Sequence, residues 1–283
     1  WLFPLIGRTV GSPRLLYNME GCRWTSVTSD EEGHVFAVVT STKRATGTVA
    51  MISLPQGTVR TWGGGWGIWV DASGRWAASS AEVGNRQKMH LWDVRSGEMW
   101  ELGSIEDMLI GFDRRGHLLS ASGGNLVSWD VETRNATVLT GELSKKADWA
   151  RAEMCDDRET LLALDDEGKP AFRRVDGTIL RKLAGTVDLN RLTAWAADPR
   201  RNLILCGLDN GDVDIIDGTT GVDYTIPLHK GFVNDLAIDP LSRWVASVGY
   251  DDEGVKLWEI PSGRSPMDMP RQELLSKLRS LTN

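Results

Sequence analysis

Four histidines, His34, His90, His117 and His229, are the residues here with the widest chemical reach. A nucleophilic centre would need one of them touching a serine and oriented by a carboxylate. His34 and His117 each follow a glycine between two apolar runs, where a turn is expected; His90 lies inside an apolar run, and His229 stands just ahead of one. There is no HExxH, no paired histidine and no Cys-His cluster. Cys22, Cys155 and Cys206 are odd in number and lack CxxC spacing, so they read as reduced, buried thiols of a cytoplasmic protein. Acidic groups at Asp30-Glu31-Glu32, Asp156-Asp157, Asp165-Asp166-Glu167 and Asp251-Asp252-Glu253 offer hard oxygen ligands, yet none has calcium-loop spacing. Each falls at an expected turn, where Asp is favoured for bonding local backbone. Trp62-Gly63-Gly64-Gly65-Trp66-Gly67 lacks the Lys-Ser/Thr of a phosphate loop and reads as a tight connection, while Asn135-Ala136-Thr137 fits a glycosylation acceptor that matters only in a secreted chain. The residues therefore assign no catalytic group, no metal and no cofactor.

The elements that position these side chains are short strands in repeats. From His229 to Ile260 the chain holds three apolar runs, 233–238, 244–248 and 255–260, separated by Asp239-Pro240 and by Asp251-Asp252-Glu253-Gly254; these predict three antiparallel strands. Looser copies precede this stretch. Asp30, Asp71, Asp113, Asp156, Asp198 and Asp239 each follow an apolar run, at intervals of 41, 42, 43, 42 and 41 residues. The fourth copy is the most degenerate, and in the fifth Asp209-Asn210-Gly211-Asp212 predicts a two-residue type I′ hairpin turn.

The stretch resembles a blade of the WD-repeat β-propeller family. His229, Ser247, Asp252 and Trp258 match that family's polar tetrad, Leu257-Trp258-Glu259 and Leu91-Trp92-Asp93 its signature, and the interval its period of roughly 40–45 residues. The resemblance implies that the tetrad forms a buried hydrogen-bonded chain; elsewhere the set is broken and packing must hold the blades. The fold expected is all-β: a β-propeller of four-stranded antiparallel blades, six complete blades plus part of a seventh, with a short C-terminal helix. The propeller is expected over residues 1–266 and a tail with an amphipathic helix over 267–283, where Leu274, Leu275, Leu278 and Leu281 share one helical face. Trp1–Gly7 reads as a third strand and its turn, with Arg14–Asn18 as the fourth, so the chain is expected to be an excerpt from a longer protein. Radial stacking buries both faces of every such sheet, which fits apolar runs that do not alternate.

Composition narrows the function classes. A net charge of −7 with interspersed signs argues against nucleic acid, and no apolar stretch nears the length of a membrane-spanning helix. Tryptophan is over-represented, 13 against 5 Phe and 3 Tyr. Trp24, Trp66, Trp149 and Trp195 fall near the starts of first strands, which in a propeller line the channel, and Arg23, Asp107, Arg151, Arg191 and Asn234 are interspersed with them. Trp and Arg dominate binding hot spots, so this set is the candidate partner-binding rim. The function expected is a non-catalytic protein-interaction, scaffolding or regulatory module, binding a protein or peptide and attached to other domains of a larger signalling or sensor protein. The divergent repeats resemble bacterial WD-repeat modules in style. A propeller enzyme, lactonase-like or quinone-dependent with a metal at the channel, is the alternative; it calls for converging Asp, Glu, Asn or His where the sequence puts mainly Trp, Gly and Arg.

Overall fold

The computed structural model describes residues 5–6, 9–10, 22–29, 35–41, 47–53, 58–63, 67–83, 86–103, 108–122, 124–139, 152–155, 157–165, 167–238, 244–250 and 255–259. Strands β1 (Leu5–Ile6) and β2 (Thr9–Val10) form a two-stranded sheet. Five four-stranded antiparallel sheets follow, each pairing its strands in chain order. The first holds β3 (Cys22–Ser29), β4 (Val35–Ser41), β5 (Gly47–Ser53) and β6 (Thr58–Gly63); the second β7 (Gly67–Val70), β8 (Trp76–Val83), β9 (Arg86–Asp93) and β10 (Met99–Leu102). The third holds β11 (Met108–Phe112), β12 (Leu118–Ser122), β13 (Asn125–Trp129) and β14 (Ala136–Val138); the fourth β15 (Glu153–Met154), β16 (Thr160–Leu164), β17 (Pro170–Arg174) and β18 (Ile179–Lys182). The fifth holds β19 (Leu192–Asp198), β20 (Leu203–Leu208), β21 (Asp212–Asp217) and β22 (Asp223–Pro227), and a sixth sheet has three strands, β23 (Val233–Ile238), β24 (Trp244–Gly249) and β25 (Val255–Glu259). The fold is an all-β propeller with five four-stranded blades.

The chain divides into two compact units, residues 1–123 with 128–137, and residues 124–127 with 138–283. In the first, Phe36, Ile68, Val70 and Trp92 make one core, and Trp76, Met89, Leu91, Phe112 and Leu118 another. In the second, Leu162, Phe172, Trp195 and Ile204 pack together, as do Leu205, Ile215, Val233, Leu236 and Trp258. Sandwiching explains the unbroken apolar runs: every residue of β16 and of β20 is buried. Each fully buried Leu, Ile or Phe contributes about 1.5–3 kcal/mol.

The periodic aspartates turn out to be turn locks. Asp71 is buried and accepts hydrogen bonds from the Ser73 and Trp76 N–H groups at 3.1 and 2.7 Å. Asp113 does the same for Arg115 and His117, and Asp198 for Arg200. A buried carboxylate is tolerable only when bonded in this way. Asp156 lies outside the described residues; its neighbour Asp157 accepts from the N–H groups of Glu159 and Thr160 and from the Thr160 hydroxyl.

Three sequence expectations are corrected. The six complete blades reduce to five: a blade needs four paired strands, and among the described residues the sixth repeat pairs three, β23, β24 and β25. Where part of a seventh blade was expected, the described residues form a two-stranded sheet, β1–β2, with Leu5 and Ile6 paired to Val10 and Thr9. The expected fourth strand, Arg14–Asn18, lies outside the described residues. The C-terminal helix does not stand in the described fold, which contains no helix; residues 267–283 lie outside it. A finer difference concerns the second repeat, where 81–88 reads as a long turn but β8 and β9 stay paired as far as Val83 and Arg86.

Candidate functional site

Within the second unit, one end of the fifth and sixth sheets gathers chemically distinctive side chains. The β20–β21 connection is Asp209-Asn210-Gly211, three residues closed by a Gly211 N–H to Leu208 carbonyl bond of 3.1 Å. Gly211 adopts φ +88° while Asn210 is not among the positive-φ residues. The connection is thus a three-residue loop ending on a left-handed glycine rather than the expected type I′ turn, which needs positive φ at both central residues. Against it lies the chain entering β23: His229 donates its N–H to the Gly211 carbonyl at 2.9 Å. The approach is so close that a Cβ on Gly211 would stand 2.3 Å from the His229 carbonyl oxygen.

Behind this junction the His229 ring meets the Ser247 hydroxyl, Nε2 to Oγ 2.9 Å, with both residues buried. Gly249 makes room for the imidazole, since a Cβ there would lie 2.6 Å from Nδ1. Trp258 is buried, and its indole N–H has no hydrogen-bond partner among the described residues; Asp252 lies outside them. Two of the four tetrad residues are therefore bonded to each other. Sequence reasoning missed that other repeats keep a related link: Trp92 donates to Ser79 at 3.1 Å and Trp129 to Ser120 at 2.9 Å. A serine midway along the second strand of these repeats, Ser79 on β8 and Ser120 on β12, ahead of the third-strand tryptophan, was the available signal.

The outward part of the same end is aromatic and acidic. Phe232 and Tyr250 stack at 4.6 Å between ring centroids with 22° between planes, and Tyr250 is 51% exposed. Their backbones are joined by a Tyr250 N–H to Phe232 carbonyl bond of 2.9 Å, one step beyond the Val233–Gly249 pair of the β23–β24 ladder. Arg191, which precedes β19, holds Asp209 at 3.1 Å. Thr193 is within hydrogen-bond distance of the Gly207 and Val233 carbonyls, 3.1 and 2.7 Å, and so ties the fifth sheet to the sixth. Asp235 keeps exposed surface, but protein atoms crowd it and the lost hydration pushes its carboxyl up to about 6.

Of the expected rim residues, Arg191 and Asn234 belong to this end, with Asn234 half-buried on β23. Trp195 does not face outward: it is 6% exposed and packs with Leu162, Phe172 and Ile204. From Trp195 to Asp198 both faces of β19 are buried, so either side-chain direction leads into packed interior. Arg23 and Trp24 sit on β3, whose side chains are not described, and Trp66, Asp107, Trp149 and Arg151 lie outside the described residues.

The remaining candidates for chemistry are committed elsewhere. His117 stands 3.3 Å from Asp113 within its turn. Cys206 is buried beside Asp214, and both effects push its thiol far above the usual range, the reverse of an activated nucleophile. Asp165, fully buried, would be raised by burial, but N–H donation from Lys169 and Glu167 and the Lys182 ammonium at 3.1 Å outweigh it and hold the carboxyl below its ordinary value. Among the described residues no three His, Cys, Asp or Glu side chains converge as a metal site, and no helix is long and apolar enough to cross a membrane.

No protein-family model matches the chain, and no curated protein matches it. Among solved structures, the chain is similar to the computationally designed Ika8 protein, with 18% identity and a TM-score of 0.53 over 87% of this chain and 74% of that one. It is also similar to TolB from Acinetobacter baumannii, with 14% identity and a TM-score of 0.55 over 80% of this chain and 58% of TolB. At such identities the likeness shows the propeller fold alone.

Proposed function

We propose that this chain is a non-catalytic protein-interaction module, the propeller part of a larger signalling or sensor polypeptide of the WD-repeat type, and that it works in the cytoplasm. The observation that carries the reading is the stacked Phe232–Tyr250 pair. Tyr250 leaves half of its surface in water at the end of β24 while stacked on Phe232. Aromatic surface of this kind is what a partner uses as an anchor. Among the described residues, carboxylates lock turns, the His229 ring is bonded to Ser247, and the thiols of Cys155 and Cys206 are buried.

The test is affinity capture from a lysate of the source organism, with wild-type protein and a Tyr250→Ala variant of matched circular dichroism. Proteins retained by the wild type and lost by the variant are the expected result. Identical retention by both would end the claim that this surface binds partners.

A further inference from the structure

We infer that a second surface, on the first of the two compact units, binds a carboxylate of an acidic peptide: the guanidinium of Arg134, stacked on Trp100, presents its N–H edge to the two carboxylate oxygens.

The backbone singles out Arg134. The turns that join the third and fourth strands of the second, third and fifth sheets close in one way, each with an N–H donating to the carbonyl four residues earlier. Gly97 donates to Asp93 at 2.8 Å, and Arg134 to Asp130 and Gly221 to Asp217 at 2.7 Å. The donor residue is left-handed in all three, φ +79° at Gly97, +77° at Gly221 and +62° at Arg134. Glycine takes this conformation freely, whereas a residue with a Cβ is strained by it. The third sheet therefore keeps an arginine where two sibling turns have glycine, against the preference of the turn itself.

The side chain has a defined seat. Its guanidinium lies over Trp100 of β10, 4.8 Å from the ring centroid. Trp100 meets Trp76 at 6.0 Å between centroids, and Arg75 in turn lies over Trp76 at 4.8 Å. The two arginines end this ladder differently. Arg75 is ion-paired to Glu132 at 2.5 Å and stands 3.6 Å from Asp93. Arg134 is exposed, and among the described residues no acceptor takes a hydrogen bond from its guanidinium. Stacking engages the face of the guanidinium and leaves its N–H edge for an acceptor, while the indole beneath it limits the freedom that binding would otherwise remove. Two parallel N–H donors match the two oxygens of a carboxylate. A doubly charged phosphate is met by clusters of arginine, and the other guanidinium of this ladder is committed to Glu132.

The test uses the whole chain and heptapeptide pools carrying an uncharged BODIPY label, read by fluorescence anisotropy. Three pools are C-terminally amidated, with uncharged randomised flanks and a central Glu, Gln or phosphoserine; a fourth has central Gln and a free C-terminal carboxylate. The Glu pool is expected to bind. Arg134→Gly, which gives the turn the residue of its siblings and so keeps the fold, should weaken that binding about tenfold, the loss of one bond between charged groups. Arg134→Lys keeps the charge without the fork and should weaken it as well. Binding of the fourth pool above the amidated Gln pool, lost with Arg134→Gly, also supports the site and makes a chain end a source of the carboxylate. Equal binding of the Glu and amidated Gln pools, no binding, or indifference to Arg134→Gly overturns the inference. Full affinity with Arg134→Lys overturns it as attraction by charge alone, and preference for phosphoserine overturns it in favour of a phosphorylated partner. Tyr250→Ala should leave this binding unchanged, so the two surfaces are tested separately; a loss with that variant would place the peptide elsewhere and overturn the assignment to Arg134.

Discussion

His90 is the residue whose surroundings are hardest to satisfy. It is buried on β9, opposite Ser79 on β8 and Glu101 on β10, and neither ring nitrogen has a hydrogen-bond partner among the described residues. Its nearest ring is Trp92, edge-on at 6.0 Å. Burial disfavours the imidazolium, Glu101 opposes that effect and Lys88 adds to it, so the pKa falls below the ordinary 6.5. The unfolded chain then takes up the proton first, and stability drains away as pH falls below about 6.5, levelling off beneath the lowered native value. Replacement by leucine removes this cost. His90→Leu should melt no lower than wild type at pH 7.5, where it relieves the unpaired ring nitrogens, and its advantage should widen by pH 5; a constant difference across that range would show that the imidazole is not titrating against the fold. Nothing in the sequence marked His90 out beyond its place inside an apolar run, because burial of both faces is a property of the stacked sheets.

The turns show how far local sequence specifies an element. Aspartates at intervals of 41–43 residues were legible as a repeat, and Asp71, Asp113 and Asp198 earn that regularity by bonding turn N–H groups. Asn210-Gly211 was legible as a hairpin signal too, but its type was not, since the third loop residue is recruited by the chain folding back over it at His229. That contact gives a sharp comparison. Gly211→Ala combines a left-handed φ with a Cβ 2.3 Å from a backbone oxygen, whereas Gly168→Ala has φ +78° and no atom within 4 Å. In chemical denaturation the first should lose about 2 kcal/mol or more and the second about 1 kcal/mol, the cost of backbone strain without a clash. Similar losses at both positions would mean that the loop yields without disturbing β23. The Trp195 ring teaches the same lesson from the other side: a strand start was predicted correctly, and burial of both faces of β19 from Trp195 onward puts the side chain in the core.

At the scale of the molecule, the propeller class could be read from periodicity, while the number of complete blades could not. A period counts repeats of sequence; a blade needs four paired strands, and the sixth repeat supplies three among the described residues. The candidate surface was half legible for a similar reason. Arg191 and Asn234 could be placed at this end from their positions near strand starts, but Phe232 and Tyr250 meet only because the register of β23 and β24 brings residues 18 apart face to face. Aromatic residues just outside both ends of a strand pair are the pattern that would have revealed them. The account stands on that end of the molecule being where partners bind. Its most direct test is photo-crosslinking in the source cells, with a benzophenone amino acid at position 250 and, as a comparison, at position 180, another exposed apolar site on the outer strand β18. A discrete crosslinked protein from position 250 and none from 180 is the predicted result; the same products from both positions, or none from 250, would contradict it.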